Sequence, residues 1–149
     1  MILSRRFLLQ NTIEPLYRVL DANLNRLREA LRVVEDYFRF IKESPEICEK
    51  LKLSRHKLIK IEELLGKEQL LKSRNTLTDC FADENRPEEL LRETTDDLVS
   101  ANFKRAQEAA RVIEEYSKLT GNHEVSGIAK ALRFSFYTLE QDSMEKRHE

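Results

Sequence analysis

Residues 22–37 read ANLNRLREALRVVEDY, and residues 101–116 read ANFKRAQEAARVIEEY. The same pattern therefore occurs twice, 79 residues apart. A second echo follows at nearly the same spacing, in which three residues of each copy match: Lys52, Arg55 and Glu62 against Lys130, Arg133 and Glu140. A period of this length is typical of a duplicated supersecondary unit. One unit alone cannot bury its own apolar face, so we expect both copies to share one core.

The composition favours an all-α protein. The chain has 149 residues, of which 36% are charged, with only 3 Gly and 3 Pro. Helix formers with so little turn chemistry argue against a sandwich or a barrel. Length and repeat together predict one domain, 1–149, in which repeat units of about 15–66 and 94–146 are joined by a linker of about 67–93.

Charge and hydropathy exclude several classes of function. Lys and Arg number 26 against 27 Asp and Glu, a net charge of −1, so we expect no partner that is a nucleic acid or an acidic membrane. No apolar run reaches the ~18 residues of a membrane span, and the N-terminus lacks a cleavage signal, which predicts a cytoplasmic protein. Cys48 and Cys80 have no metal-ligand spacing with the three His and are expected to be reduced thiols.

Turn and capping residues predict where the helices begin and end. Pro15 suits a first turn, and apolar residues at helical spacing continue to Phe40 or Ile41. Ser44 and Pro45 open a second helix that stops at Gly66.

The second copy carries its own signals. Thr94 or Thr95 caps a helix that ends before Gly121, and Ser126 caps the last helix. Residues 85–88 are expected to open a short connecting helix, and residues 73–82 to form a loop over the core. The predicted architecture is a pseudo-two-fold helical bundle built from two helix pairs and a short connecting helix.

Polar residues fall inside the apolar arcs of these helices. At 3.6 residues per turn the inward positions include three residues in each copy, Asn23, Arg26 and Arg55, and Asn102, Arg105 and Arg133. Buried arginines need carboxylates, backbone carbonyls or a bound anion. In one interpretation four glutamates neutralise them in an ion-paired core: Glu29, Glu62, Glu108 and Glu140. In the other, the Arg forks bind a phosphate near the pseudo-two-fold axis and Asn fixes a ring edge.

Other polar positions carry weaker signals. Charges further from the arcs, such as Arg32 and Glu35, are typical of a solvated face. His56 is predicted to lie at the side of its helix, where a packed or surface role competes with a catalytic one. The polar segment from Arg74 to Asp79 is either a cover or hydrated-cation site for a pocket, or a connector with Asx turns.

These residues resemble a known family. The segments are Asp21 to Arg26, Glu29, Arg32 to Asp36, Leu53 to His56, and Ala101 to Leu119. They are similar to the helical domain that some bacteria carry ahead of thiamine-phosphate synthase and that is also found alone. The resemblance covers about Val19 to Glu140 and implies an alternative hydroxymethylpyrimidine phosphate kinase, which uses ATP to convert 4-amino-5-hydroxymethyl-2-methylpyrimidine phosphate into its diphosphate.

The resemblance implies roles for individual residues. With ATP and Mg²⁺ as cofactors, phosphates are expected on Arg26, Arg55, Arg105 and Arg133. Asn23 and Asn102 are expected to bind the edge of the pyrimidine or ribose. Glu29, Glu108 or Asp79 is expected to bind the cation or act as the base, with Asp79 as the metal ligand. His56 and Arg74 complete the expected substrate-binding set.

One segment departs from the family pattern. Where the family tends to have Arg-Asp-Thr and then Asp-x-Gly, this chain has Asn75 after Arg74, and Phe81 two positions after Asp79. An acid and a glycine are missing, which would impair catalysis if that acid holds magnesium or positions the acceptor. The second hypothesis is therefore a non-catalytic module that holds a thiamine intermediate or docks on a separate thiamine-phosphate synthase. A structural bundle is the third, and a homo-oligomer is left open.

Overall fold

A computed structural model describes residues 2–84, 86–87 and 91–148, with the side chains of residues 2–11 left out. Its helices are α1 (Ile2–Asp36), which continues as a π-helical turn (Tyr37–Ile41), then α2 (Pro45–Leu65), α3 (Lys67–Ser73), α4 (Thr95–Leu119) and α5 (His123–His148). The described residues contain no strand, which confirms the all-α prediction.

The four long helices form a ring. Helix α1 packs most extensively on α4, and α4 packs almost as extensively on α5. Smaller contacts join α5 to α2 and α2 to α1, and the short α3 lies against α1 and α2. The Tyr37 hydroxyl lies beside Thr95 at the start of α4, so the C-terminal end of α1 meets the N-terminal end of α4. The two repeated helices therefore run antiparallel.

Both copies contribute to one core. Its largest fully buried side chains come from every long helix, with Leu20, Leu27 and Phe38 from α1, Leu51, Leu58 and Ile61 from α2, Phe103 and Ile113 from α4, and Leu132 and Phe136 from α5. The inward apolar arcs are confirmed except at their borders, where Tyr116 is 37% exposed. The shared core is what places the two repeated helices side by side.

Most of the predicted boundaries are confirmed. Helix α2 begins at Pro45 and ends at Gly66, whose φ of 96° is a conformation that favours glycine. Thr94 Oγ1 accepts a hydrogen bond from the Asp97 amide at 3.0 Å and caps α4. Gly121, with a φ of 75°, follows the last turn of α4.

Two predicted helix starts are wrong. Pro15 lies inside α1, where the exposure of Glu14 and Pro15 lets water reach the carbonyl left without a donor. Helix α5 begins at His123, because Asn122 Oδ1 accepts from the Val125 amide at 3.2 Å, whereas the Ser126 hydroxyl donates to Glu114 O.

The connection between the copies also differs from the prediction. Its first part is helix α3, whereas the short connecting helix was expected at residues 85–88. Residues 74–84 form successive turns and are exposed, so they do not cover the core. The helix expected at 85–88 lies largely outside the described residues.

Candidate functional site

Two of the predicted inward arginines are held in matching ion pairs. Arg55 Nη1 lies 2.7 Å from Glu35 Oε2, and Arg133 Nε donates to Glu114 Oε2 at 3.1 Å, with Nη2 3.0 Å from the same oxygen. Glu35 and Glu114 occupy equivalent positions and are only 7% and 4% exposed. Each pair joins the first helix of a copy to its second helix, which is a structural task.

Each of these carboxylates also faces a second arginine. Arg32 Nη1 lies 3.6 Å from Glu35 Oε2, and Arg111 Nη1 lies 3.4 Å from Glu114 Oε2. The predicted solvated face is therefore wrong for Glu35 and for its equivalent, Glu114. Both sit at the edge of the apolar arc, where a carboxylate can reach inward to the arginine of the neighbouring helix.

The glutamates predicted to neutralise Arg55 and Arg133 have other partners. Glu62 contacts Arg28, and Glu140 Oε1 accepts from Lys104 at 3.1 Å and from Gln107 at 3.0 Å. The ion-paired interpretation holds for half of the arginines and fails in the choice of carboxylate. Sequence spacing alone did not distinguish Glu35 from Glu62 as the partner of Arg55, because it does not show which carboxylate of a neighbouring helix lies opposite.

The other repeated polar residues form one stripe on each of the two antiparallel helices. The stripe of α1 is Asn23, Arg26 and Glu29, and the stripe of α4 is Asn102, Arg105 and Glu108. The prediction that Arg26 and Arg105 point inward is wrong, since both are exposed, as are Glu29 and Glu108. Their long side chains start at the border of the apolar arc and extend into water.

The asparagines anchor the stripes. Asn23 Nδ2 donates to Val19 O at 2.9 Å, and Asn102 Nδ2 donates to Leu98 O at 2.8 Å. Arg26 Nη1 makes a long 3.4 Å hydrogen bond to Asn23 Oδ1. Each amide nitrogen uses one of its two N–H groups on its own helix, so each asparagine keeps a second N–H donor, and the amide oxygen of Asn102 remains an acceptor.

The charged stripe residues lack ion partners. Arg26, Glu29, Arg105 and Glu108 make no ion pair with any residue whose side chain the structure describes. By contrast, the equally duplicated Arg32 and Arg111 are paired with carboxylates. Packing and ion pairing therefore explain one part of the repeated pattern and leave the stripes unexplained.

Helix geometry places the two stripes at a similar level along α1 and α4. Arg26 lies eleven residues before Tyr37, and Gln107 lies eleven residues after Asp96, which neighbours Tyr37. With the same rise of 1.5 Å per residue on both antiparallel helices, Arg26 is at about the level of Gln107, two residues from Arg105. We call the surface between the two stripes the stripe groove.

The remaining predicted site residues lie elsewhere. Arg74 donates to both carboxylate oxygens of Asp21, from Nε at 2.8 Å and from Nη2 at 2.9 Å, which raises the pKa of Arg74. Asp79 Oδ1 accepts from the Phe81 amide at 3.0 Å in an exposed turn. His56 is exposed on α2 beside Arg55. The structure therefore does not gather the predicted set into one place.

The described carboxylates do not form a metal centre by themselves. No three His, Cys, Asp or Glu side chains among the described residues are grouped so that they could hold a metal ion. Asp79, predicted as the ligand, uses one oxygen in its own turn. The described residues thus do not fit a preformed Mg²⁺ site.

None of the described helices is both long and apolar enough to cross a membrane.

Comparisons with known proteins identify the family. The ThiD2 family model matches residues 18–142. The chain is 42% identical over 130 residues to a thiamine-phosphate synthase of Prochlorococcus marinus (strain AS9601), which covers 85% of this chain and 35% of that protein. It is 44% identical over 131 residues to the thiamine-phosphate synthase of Thermosynechococcus vestitus, covering 86% of this chain and 35% of that protein.

The chain thus spans about a third of the length of these relatives. No solved structure gives a significant match. With the family model covering most of the chain, including both copies of the repeat, the protein belongs to the ThiD2 family.

Proposed function

We propose that this protein phosphorylates 4-amino-5-hydroxymethyl-2-methylpyrimidine phosphate to the diphosphate, with ATP as donor, in the stripe groove. Membership of the ThiD2 family and relatives that are thiamine-phosphate synthases support a role in thiamine biosynthesis. The observation that carries the choice of site is that four exposed charges, duplicated between the copies, have no ion partner among the described side chains.

The chemistry needs positive charge more than it needs a nucleophilic side chain. Phosphoryl transfer passes through a state with charge spread over the equatorial oxygens, so catalysis is mostly positioning and electrostatic stabilisation. Arg26 and Arg105, one from each helix, are free to hold the phosphates. A planar guanidinium fork suits phosphate oxygens better than a lysine would.

The acceptor is itself a phosphate, which removes the need for a general base. A phosphate monoester loses its second proton near pH 6, so its oxygen is already ionised at neutral pH. Glu29 and Glu108 lie one helical turn from Arg26 and Arg105 and can orient them without taking a proton. The amide oxygen of Asn102 is available to accept a hydrogen bond from the amino group of the pyrimidine.

The second candidate function is binding without turnover, and one contact favours it. Asn75, which replaces an acid of the family pattern, accepts a hydrogen bond from the Thr78 amide through Oδ1 at 3.2 Å. In this chain the side chain therefore closes a turn. A protein without that acid would hold the pyrimidine phosphate, alone or docked on a separate thiamine-phosphate synthase, and would not convert it.

Direct assay separates the two functions. Purified protein is incubated with the pyrimidine monophosphate and Mg-ATP, and the diphosphate is measured beside a fused relative as the active reference. Diphosphate formation at a rate comparable to the relative is expected. No product, together with heat stabilisation by the monophosphate, would replace the kinase with the binding module, and no effect of either ligand would leave only a structural bundle.

A further inference from the structure

The two copies differ where the second helix of each pair ends. Helix α2 stops at Leu65, Gly66 adopts a φ of 96°, and α3 turns back onto α1. Helix α5 runs past the equivalent position and continues to His148. The break at Gly66 therefore creates a feature that the second copy lacks.

That feature is a cleft of about 190 Å³ between α1, α2 and α3. We call it the break cleft. Its floor includes Leu24 and Leu70, which are 2% and 4% exposed. Charged residues from all three helices and from the start of the following loop line it: Asp21, Arg28, Glu62, Lys67 and Arg74.

The break cleft has an excess of positive charge. Both oxygens of Asp21 accept from Arg74, and Glu62 faces Arg28, while Lys67 has no ion partner among the described side chains. Glu62 Oε1 is buried and forms an ion pair with Arg28, whose Nη1 also donates to Asn25 Oδ1 at 2.6 Å. Three cations around two engaged carboxylates leave room for one more anion.

The second copy shows what the same region looks like without a cleft. Ser100 stands at the position of Asp21, and there the guanidinium of Arg147, 5% exposed, bonds to Ser100 and Asp96. Gln107 stands at the position of Arg28 and donates to Glu140 at 3.0 Å. The second copy thus closes with a neutral amide where the first copy carries a cation.

The break cleft and the stripe groove are on opposite sides of α1. Arg26 and Arg28 are two positions apart, which at about 100° per residue turns their side chains about 200° from each other. A ligand in the break cleft therefore cannot exchange a phosphoryl group with one in the stripe groove, because in-line transfer needs reacting atoms about 3 Å apart.

We propose that the break cleft binds a small phosphate monoester whose organic part is an uncharged ring, at a site separate from the stripe groove. Arg28 and Lys67 would take the phosphate, and Leu24 and Leu70 the ring. The volume lies below the 300–1,000 Å³ typical of sites for larger ligands, so the cleft favours a small ligand. This site does not depend on the proposed kinase activity.

The test uses phenyl phosphate and inorganic phosphate as probes in calorimetry and in amide NMR of the full chain. Phenyl phosphate is expected to shift the signals of residues 67–71 and to bind at least tenfold more tightly than inorganic phosphate. Arg28→Gln and Lys67→Ala should each weaken it at least fivefold. Arg28→Gln should fold, since Gln107 fills the equivalent position of the second copy.

Two controls keep this result apart from the kinase proposal. Lys130→Ala removes an exposed lysine of the second copy that has no ion partner among the described side chains, and Arg26→Ala removes the stripe groove arginine, so neither should change the affinity measured from the signals of residues 67–71. Signals at 67–71 that do not move, or wild-type affinity in both cleft variants, would overturn the site. Equal affinity for the two probes would overturn the assignment to an ester.

Discussion

Arg55 and Arg133 occupy equivalent positions in the two copies and bind equivalent glutamates, yet their surroundings differ. Two nitrogens of Arg133 lie within 3.1 Å of Glu114 Oε2, and Nε donates a hydrogen bond to it. A third nitrogen donates to the Tyr137 hydroxyl at 3.4 Å, and the guanidinium lies 4.9 Å from the Phe134 ring centroid. Hydrogen bonds to Tyr137 and Glu114 raise the pKa of Arg133.

Arg55 makes one bond to Glu35, and its neighbours at the equivalent positions are His56 and Ile59. The side chain of Arg55 is 28% exposed and that of Arg133 is 14% exposed. The second copy is thus the more tightly closed half, while the first copy carries the break cleft. Duplication preserved the ion pair and let one half retain open polar surface.

The largest expected effect on stability comes from removing the glutamates. Glu114→Ala should lower the free energy of unfolding by about 3 kcal/mol, because it strands a mostly buried arginine. Glu35→Ala should cost about 1–2 kcal/mol, since Arg55 can turn towards water. Urea unfolding of both variants measures the difference, and equal losses would show that the two halves are closed alike.

A smaller effect is expected at the start of the connecting loop. Asp21→Ala removes both bonds of Arg74 and should cost about 1–2 kcal/mol, with faster proteolysis within residues 74–84. The matched change in the second copy is Ser100→Ala, which leaves Arg147 on Asp96 and should cost less than about 1 kcal/mol. A cost at position 100 as large as at position 21 would contradict the comparison.

The smallest effect concerns the equivalent tyrosines at alkaline pH. Burial raises the pKa of Tyr37 above its ordinary value of 10.0. The folded state then favours the neutral phenol, so stability present below pH 10 is lost as the pH rises through the raised value. Tyr37→Phe should therefore reduce the loss of stability above pH 10 in unfolding measurements, with Tyr116→Phe removing the same hydroxyl from an exposed position as control. If the stability of Tyr37→Phe falls above pH 10 as steeply as that of the wild type, burial of the Tyr37 phenol does not cause this loss.

The sequence predicted what depends on local signals and periodicity. Apolar spacing identified the core faces, and Thr94, Ser44 and Gly66 marked helix ends that the structure confirms. The sequence could not predict which arginines point inward. Arg26 and Arg55 both fall near the border of an apolar arc, and only packing decides that Arg55 turns inward and Arg26 extends into water.

Contacts between distant segments were also beyond the sequence. Arg74 meets Asp21 because α3 folds back onto α1, and Arg28 meets Glu62 because α2 packs on α1. One feature of the sequence could have identified Glu35 and Glu114 as partners of the arginines, because the two residues are repeated equivalents and both lie at the edge of an apolar arc. The stripe groove is distinguished by duplicated charges that remain unpaired among the described side chains. Which charges are paired depends on contacts between helices, so the sequence could not identify them.

Thermal unfolding with and without the pyrimidine monophosphate tests whether the duplicated arginines bind this ligand. The proteins compared are the wild type, Arg26→Ala, Arg105→Ala and the exposed control Arg39→Ala. The ligand is expected to raise Tm in the wild type and in Arg39→Ala. Each stripe variant is expected to lose this shift while keeping its ligand-free Tm. In the kinase assay the same two variants should lose about 100-fold in rate. Full ligand stabilisation in both stripe variants would show that the duplicated arginines have no part in binding, and would overturn the stripe groove as the ligand site.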